Sequence, residues 1–239
     1  MIGLDFHYEV QHQEIWITRY LGDDQIATIP PYIDDLPVTK ICQHAFAATD
    51  AAEIHVTEGI ESIESEAFAL CEELNRVVLP STLKKLGRGV FNGSAALEQI
   101  VFPNGNPSFS VDNGALYHNA ERSLVLLPPG LKTQKFNVPA GIKVISSGAF
   151  YQNTSLEYVK LPVTLEKIES GSFLFTDRLK MIELPPDIKE IEPGSFLVGR
   201  GLRAEKEFNI YAFPDSVGYR YAVENQIPVQ PLYAIVTDS

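Results

Sequence analysis

Five histidines, two cysteines and the carboxylates of Glu169 and Glu192 are the side chains whose placement invites a chemical reading. His7, His12, His44, His55 and His118 are scattered, with no His-x-x-x-His step. Zinc needs three or four converging donors, so surface histidines are expected and no metal ligand is assigned. Cys42 lies two residues from His44, a spacing that suggests a thiolate beside a base. The alignment developed below places Cys42 in a slot held elsewhere by Glu64, Gly87, Ser146, Glu169 and Glu192, so a turn residue is expected rather than a nucleophile. Cys42 and Cys71 cannot build a disulfide framework and fall in no metal-ligand spacing. Glu169 and Glu192 would stand about 5 Å apart if strand stacking reaches them. Carboxylates that close can tune each other or hold a cation. With Lys167 and Lys189 nearby, the expectation is a solvated charge ladder. No Gly-x-Ser-x-Gly elbow, phosphate-cradling loop or dinucleotide fingerprint appears. The sequons Asn92-Gly-Ser and Asn153-Thr-Ser matter only in a glycosylating pathway and read as accidental.

The chain around these residues is that of a folded protein: 239 residues, 45% hydrophobic and 21% charged. Thirty-one acidic against nineteen basic residues give a net charge of −12. Such a field disfavours nucleic-acid phosphates and anionic membranes. No stretch free of Asp, Glu, Lys and Arg exceeds thirteen residues, short of the roughly 20 needed to span a bilayer. The first ten residues lack the basic start and apolar run of a signal peptide. The expectation is cytoplasmic if residue 1 is the native start, and cell-surface or secreted if this is a mature domain.

What must position any site is a repeat. A Phe preceded by Ala, Val or Ser recurs at Phe46, Phe68, Phe91, Phe150, Phe173 and Phe196, at spacings of 22, 23, 59, 23 and 23. The long interval is one period plus a 36-residue one that carries thirteen extra residues. Pro80, Pro139, Pro162 and Pro185 each precede their Phe by eleven, and Thr57 precedes Phe68 likewise. Between these markers apolar pairs recur at i and i+3, as in Ile60/Ile63, Leu83/Leu86 and Leu165/Ile168. A unit of about 23 residues cannot bury its own core, so units must stack and share one. The segment Leu-x-x-Ile-x-Leu-Pro, seen at 74–80, 156–162 and 179–185, alternates like a short strand with one face buried. The proline ends it. Gly89, Gly148, Gly171 and Gly194, two residues before their Phe, supply backbone freedom at the next bend.

These residues resemble the BspA-like bacterial leucine-rich repeat family, whose repeat runs Leu-x-x-Ile-x-Leu-Pro-x-x-Leu-x-x-Ile-Gly-x-x-Ala-Phe-x-x-Cys. Residues 156–173 and 179–196 match it. Cys71 holds the pattern's Cys, while Ser94, Asn153, Thr176 and Gly199 stand there in other repeats. The likeness covers roughly residues 5–232. It takes in residues 104–139 as the family's hairpin insertion, the stretch from Thr28 as its opening repeat and the stretch from Ser216 as its closing helix. Physical signals agree. Asn113-Gly114 between apolar runs is a hairpin turn, and Leu124–Leu127 offers another strand. Ser216 is a good N-cap, with Val217 and Tyr221 on one face and Pro228 beyond the end. Alternation over Phe6–Val10, followed by Ile15–Thr18, suggests a hairpin cap containing Trp16. Membership implies proteins often exposed at the cell surface, some of them adhesive.

The expected fold is α/β but β-rich: a right-handed leucine-rich-repeat solenoid of about seven coils. It is one domain over 1–239, with an N-terminal β cap (1–27), repeats (28–103), hairpin insertion (104–135), repeats (136–206) and C-terminal helical cap (207–239). The expected function is a non-catalytic protein-interaction module without cofactors. It would bind an unidentified protein, and neither nucleic acid nor membrane. A structural spacer, or a carbohydrate-binding or carbohydrate-active solenoid, is the alternative. Strand residues flanking the inward apolar position point to the concave face. They form one column of Glu53, Arg76, Gln99, Lys135, Tyr158 and Met181, and a second of His55, Val78, Val101, Asn137, Lys160 and Glu183. Exposed apolar and aromatic members of such a face are the makings of an interface. Arg76, Val78, Val101, Tyr158 and Met181 are therefore the expected contact residues, with the insertion around Tyr117 as the competing location.

Overall fold

The computed structural model describes residues 5–196 and 208–233. The chain forms two compact units, one drawn from Met1–Ala120 and Leu126–Leu131, the other from Glu121–Val125 and Lys132–Ser239. The first unit opens with an antiparallel hairpin, β1 (Phe6–Gln11) and β2 (Glu14–Tyr20), which carries Trp16 beneath the Lys40 ammonium at 4.1 Å. A short strand β3 (Ile26–Thr28) follows, and then a tight hairpin, β4 (Tyr32–Ile33) and β5 (Leu36–Ile41), that turns through Asp34 and Asp35 at positive φ. From there each coil supplies one three-residue strand and one two-residue strand. These are β6 (Glu53–His55) and β7 (Ser62–Ile63), then β8 (Arg76–Val78) and β9 (Lys85–Leu86), then β10 (Gln99–Val101). The longer strands stack in parallel as β3, β6, β8 and β10. The shorter ones stack as β5, β7 and β9, and the N-terminal hairpin adds to them through β2. The insertion forms an antiparallel hairpin, β11 (Phe109–Asp112) and β12 (Ala115–His118), turning at Asn113-Gly114.

The second unit repeats the plan. Its short-strand column runs β13 (Ser123–Leu126), β15 (Val144–Ile145), β17 (Lys167–Ile168) and β19 (Glu190–Ile191). Its long-strand column begins β14 (Lys135–Asn137), β16 (Tyr158–Lys160) and β18 (Met181–Glu183). It ends with β20 (Asn209–Ala212) and β21 (Val229–Pro231). The helix α1 (Val217–Glu224) links these last two strands.

The repeat signals act as their chemistry requires. All six marker phenylalanines are buried, none more than 6% exposed, and their rings stack coil on coil. In the first unit Phe46, Phe68 and Phe91 follow one another at centroid distances of 5.4 and 5.6 Å. In the second, Phe150, Phe173 and Phe196 follow at 4.7 Å, and Phe208 joins at 5.8 Å. The Phe turns make a third hydrogen-bonded side: the Phe68 N–H donates to the Val90 carbonyl (2.9 Å) and the Phe173 N–H to the Ser195 carbonyl (3.0 Å). The residue two before each Phe takes positive φ, as glycine at Gly89, Gly148, Gly171 and Gly194. His44 and Glu66 hold the same left-handed position with side chains, a conformation costing an L-residue roughly 1–2 kcal/mol.

One expectation needs correcting. The long-strand columns hold nine rungs among the described residues, not about seven, because β3 already stacks on β6 and because β21 adds a rung beyond the helix. The closing helix therefore lies inside the last coil rather than after it. Its buried face is Gly218, Tyr221 and Ala222, with Val217 only half-buried. Gly218 permits this seat, since a Cβ there would meet the Leu184 side chain at 2.7 Å. Ser123–Leu126 is the further strand expected after the insertion. It pairs in parallel with β15 and is the first short rung of the second unit.

Candidate functional site

Outward residues of the long strands hold the positions expected to contact a partner. Each strand buries its central residue (Ile54, Val77, Ile100, Phe136, Val159 and Ile182) and leaves both flanking residues half-buried or exposed. Strand registers align Glu53 with Arg76 and Gln99, and His55 with Val78 and Val101, in the first unit. They align Lys135 with Tyr158 and Met181, and Asn137 with Lys160, in the second. The structure thus brings Val78 beside Val101 with Arg76 in the neighbouring column, and separately brings Tyr158 beside Met181.

Electrostatics differ between these groups. In the first unit Glu53 accepts from both Arg76 and His55 (His55 at 2.7 Å), and these donors hold its carboxyl below the usual range. Arg76 is therefore partly committed within its own column. In the second unit the Tyr158 ring, 37% exposed, has the Lys135 and Lys180 ammonium groups at 5.5 and 5.8 Å from its centroid. Lys180 also pairs with Glu157 at 2.7 Å. Lys135 and Lys160 make no ion pair among the described residues.

Tyr158 and Met181 line a groove of about 730 Å³. Repeat residues such as Leu161, Leu184 and Pro185 share its other walls with Val163, Phe213, Leu232 and Tyr233, and Lys135, Lys160 and Glu183 stand along it. Val163 and Tyr233 are 78% and 75% exposed. Sequence reasoning missed Phe213, Leu232 and Tyr233, which fall after the last full repeat and so carry no periodic signal. Phe213 directly follows β20, and Leu232 and Tyr233 reach the groove because α1 returns the chain to pair β21 against β20. At the competing location Tyr117 is 5% exposed, and its hydroxyl, pushed up by burial, finds no hydrogen-bond partner among the described residues, while Val111 on the facing strand is exposed.

The residues with chemical promise take structural roles. Cys42 and Cys71 are free thiols, and burial raises both, opposing thiolate formation. Cys71 occupies a buried polar slot shared with Ser94, Asn153 and Thr176. There the Cys71 thiol donates to the Phe46 carbonyl (3.1 Å), Ser94 Oγ to the Phe68 carbonyl (2.8 Å) and Thr176 Oγ1 to the Phe173 carbonyl (2.8 Å). The pattern's Gly199 lies outside the described residues. Glu169 and Glu192 each accept a backbone N–H from the preceding coil, from Ser147 (3.0 Å) and Ser170 (2.9 Å), and Glu64 does the same for Gln43 (2.9 Å). Glu192 also meets Lys167 at 2.6 Å, and Lys189 meets Glu166 at 2.6 Å. Among the described residues no cluster of three His, Cys, Asp or Glu side chains is placed to hold a metal. None of the described helices is long and apolar enough to cross a membrane.

Stacked coils of about 23 residues with a parallel strand column define a leucine-rich-repeat solenoid. The sequence matches the BspA type leucine rich repeat region in six copies, over residues 39–133 and 129–203. The chain belongs to that family. Solved structures with a similar fold include leucine-rich repeat proteins from two bacteria. The one from Eubacterium ventriosum ATCC 27560 is 20% identical, with a TM-score of 0.61 over 65% of this chain and 41% of that one. The one from Bacteroides ovatus ATCC 8483 is 24% identical, with a TM-score of 0.52 over 80% of this chain and 49% of that one. This chain thus spans less than half the length of either. No curated protein sequence matches it.

Proposed function

We propose that the protein is a non-catalytic interaction module whose strand face binds a protein partner. The contact residues are Arg76, Val78 and Val101 in the first unit and Tyr158 and Met181 in the second. The observation that carries this reading is the Tyr158–Met181 pair, set side by side by strand register and opening on a groove of about 730 Å³. A partly exposed aromatic beside a methionine on a rigid sheet is the kind of anchor that dominates binding energy at interfaces. A spacer would have no use for it. Against a partner isolated by affinity capture, Tyr158→Ala with Met181→Ala should weaken binding about tenfold or more. The melting temperature should hold within a few degrees, because both side chains lie on the outward face. Unchanged affinity would sink the proposal. Binding lost only on changing Val78 and Val101 would place the contact in the first unit alone.

A further inference from the structure

The groove beside Tyr158 brings two lysines without ion pairs together on an acidic protein. Acidic residues outnumber basic ones by thirty-one to nineteen in the chain, and most outward lysines have an acid at hand. Lys84 pairs with Glu61, Lys143 and Lys189 with Glu166, Lys167 with Glu190 and Glu192, and Lys180 with Glu157. Lys135 and Lys160 make no ion pair among the described residues, nor do Lys85 and Lys132; Lys135 and Lys160 both line the groove, with Lys135 near enough to Glu157 to help lower its carboxyl. Glu183 follows Lys160 in its column yet makes no ion pair with it.

We propose that this groove takes an extended acidic segment of a partner protein, with carboxylates toward Lys135 and Lys160 and an apolar side chain against Tyr158 and Met181. The inference rests on reading the strand face as a protein-binding surface and specifies what that surface selects. Its geometry follows from sheet spacings. Lys135 lies opposite Tyr158 on the neighbouring rung, and Lys160 lies two residues beyond Tyr158. Rungs are about 4.8 Å apart and alternate strand residues roughly 6.7 Å apart, so the two lysines start from positions roughly 8 Å apart on a diagonal. Alternate side chains of an extended peptide are about 6.7 Å apart, which two flexible lysine stems accommodate. The residue between the carboxylates points the other way, so the apolar anchor comes from further along the segment, where Val163, Phe213 and Tyr233 widen the apolar wall. Glu183 closes one end to further acids and so sets the direction of the segment.

The test is a fluorescence-anisotropy titration of the full chain with three fluorescein-labelled synthetic octapeptides. In each, positions 2 and 4 are both Glu, both Gln or both Lys, positions 6 and 8 on the same face are Leu and Phe, and serine fills the rest. The Glu peptide should bind at least tenfold more tightly than the Gln peptide and lose about tenfold in affinity between 50 and 500 mM salt. Lys135→Glu with Lys160→Glu should reverse the preference toward the Lys peptide, and Glu183→Gln should tighten the Glu peptide. Tyr158→Ala with Met181→Ala should weaken it tenfold with the melting curve unchanged. Equal binding of the Glu and Gln peptides would overturn the proposal. So would inorganic polyphosphate binding as tightly and indifferently to Tyr158 and Met181, or a neutral cello-oligosaccharide displacing the peptide. If no peptide binds while the Tyr158, Met181 variant still releases a captured natural partner, this inference fails and the interaction module stands. If that variant keeps the natural partner, the reading beneath it fails as well.

Discussion

Phe173 lies between Phe150 and Phe196, its ring centroid 4.7 Å from each, and is 3% exposed. Replacing it with alanine removes both stacking contacts and leaves a cavity that the hydrogen-bonded turn around it cannot fully close. We expect Phe173→Ala to cost about 3–5 kcal/mol in urea denaturation, and a loss below about 1 kcal/mol would mean that the Phe register is wrong. Glu166 shows how charge is used on the outside. Its carboxylate sits between Lys143 and Lys189, 2.6 Å from each, and they hold its pKa at about 2. Because the folded value is depressed, the contribution is complete above the ordinary carboxylate pKa of about 4.3. It is lost as pH falls from there toward 2. Wild type should therefore lose more stability than Glu166→Gln between pH 5 and 2, by a small and salt-sensitive margin since the pairs are exposed; parallel pH profiles would refute this. At this scale the sequence was informative wherever a residue type recurs at a fixed phase. It was silent on His44 and Glu66, whose left-handed backbone only the glycines at the equivalent positions could have betrayed.

The elements were readable in proportion to their length. Three-residue strands showed as a buried centre between variable neighbours, and the closing helix showed through its cap. The two-residue strands that make the second parallel column did not show, because two residues cannot display an alternation. The last rung was hidden for a similar reason: Val229, Gln230 and Pro231 offer one half-buried apolar residue and no repeat context. The same gap explains why Leu232 and Tyr233, which follow that rung into the groove, were missed. The helix that delivers it begins at Ser216, whose Oγ accepts the Tyr219 N–H at 3.1 Å. Ser216→Ala should cost that helix about 1 kcal/mol. Because α1 lies in the terminal coil, the loss should appear as local opening. Amide exchange within 219–222 should quicken about fivefold while that of Phe173 stays unchanged. Equal acceleration at both places would show that α1 is not an independently fraying segment.

Across the molecule, the net charge of −12 disfavours phosphate backbones and names no partner. The fold was legible because one chemical pattern is written several times, whereas a binding surface is written once. Tyr158 and Met181 could be placed on a face from the period alone, but Phe213, Leu232 and Tyr233 in the wall around them come from outside the repeat. That period has a further consequence. Phe150, Phe173 and Phe196 are equivalent points of one lattice 23 residues apart, so the length of the second unit is quantised. Excising 163–185 joins Pro162 to Pro186 at matching phase and sets Phe150 against Phe196, and we expect that shortened chain to keep its circular-dichroism signal per residue and to melt cooperatively. Excising about half as many residues would carry polar turn residues into the core and leave an open, aggregating chain. Apart from segments that loop out as a hairpin, as at Phe109–His118, a gene encoding such a lattice changes its length by whole turns, like a ratchet.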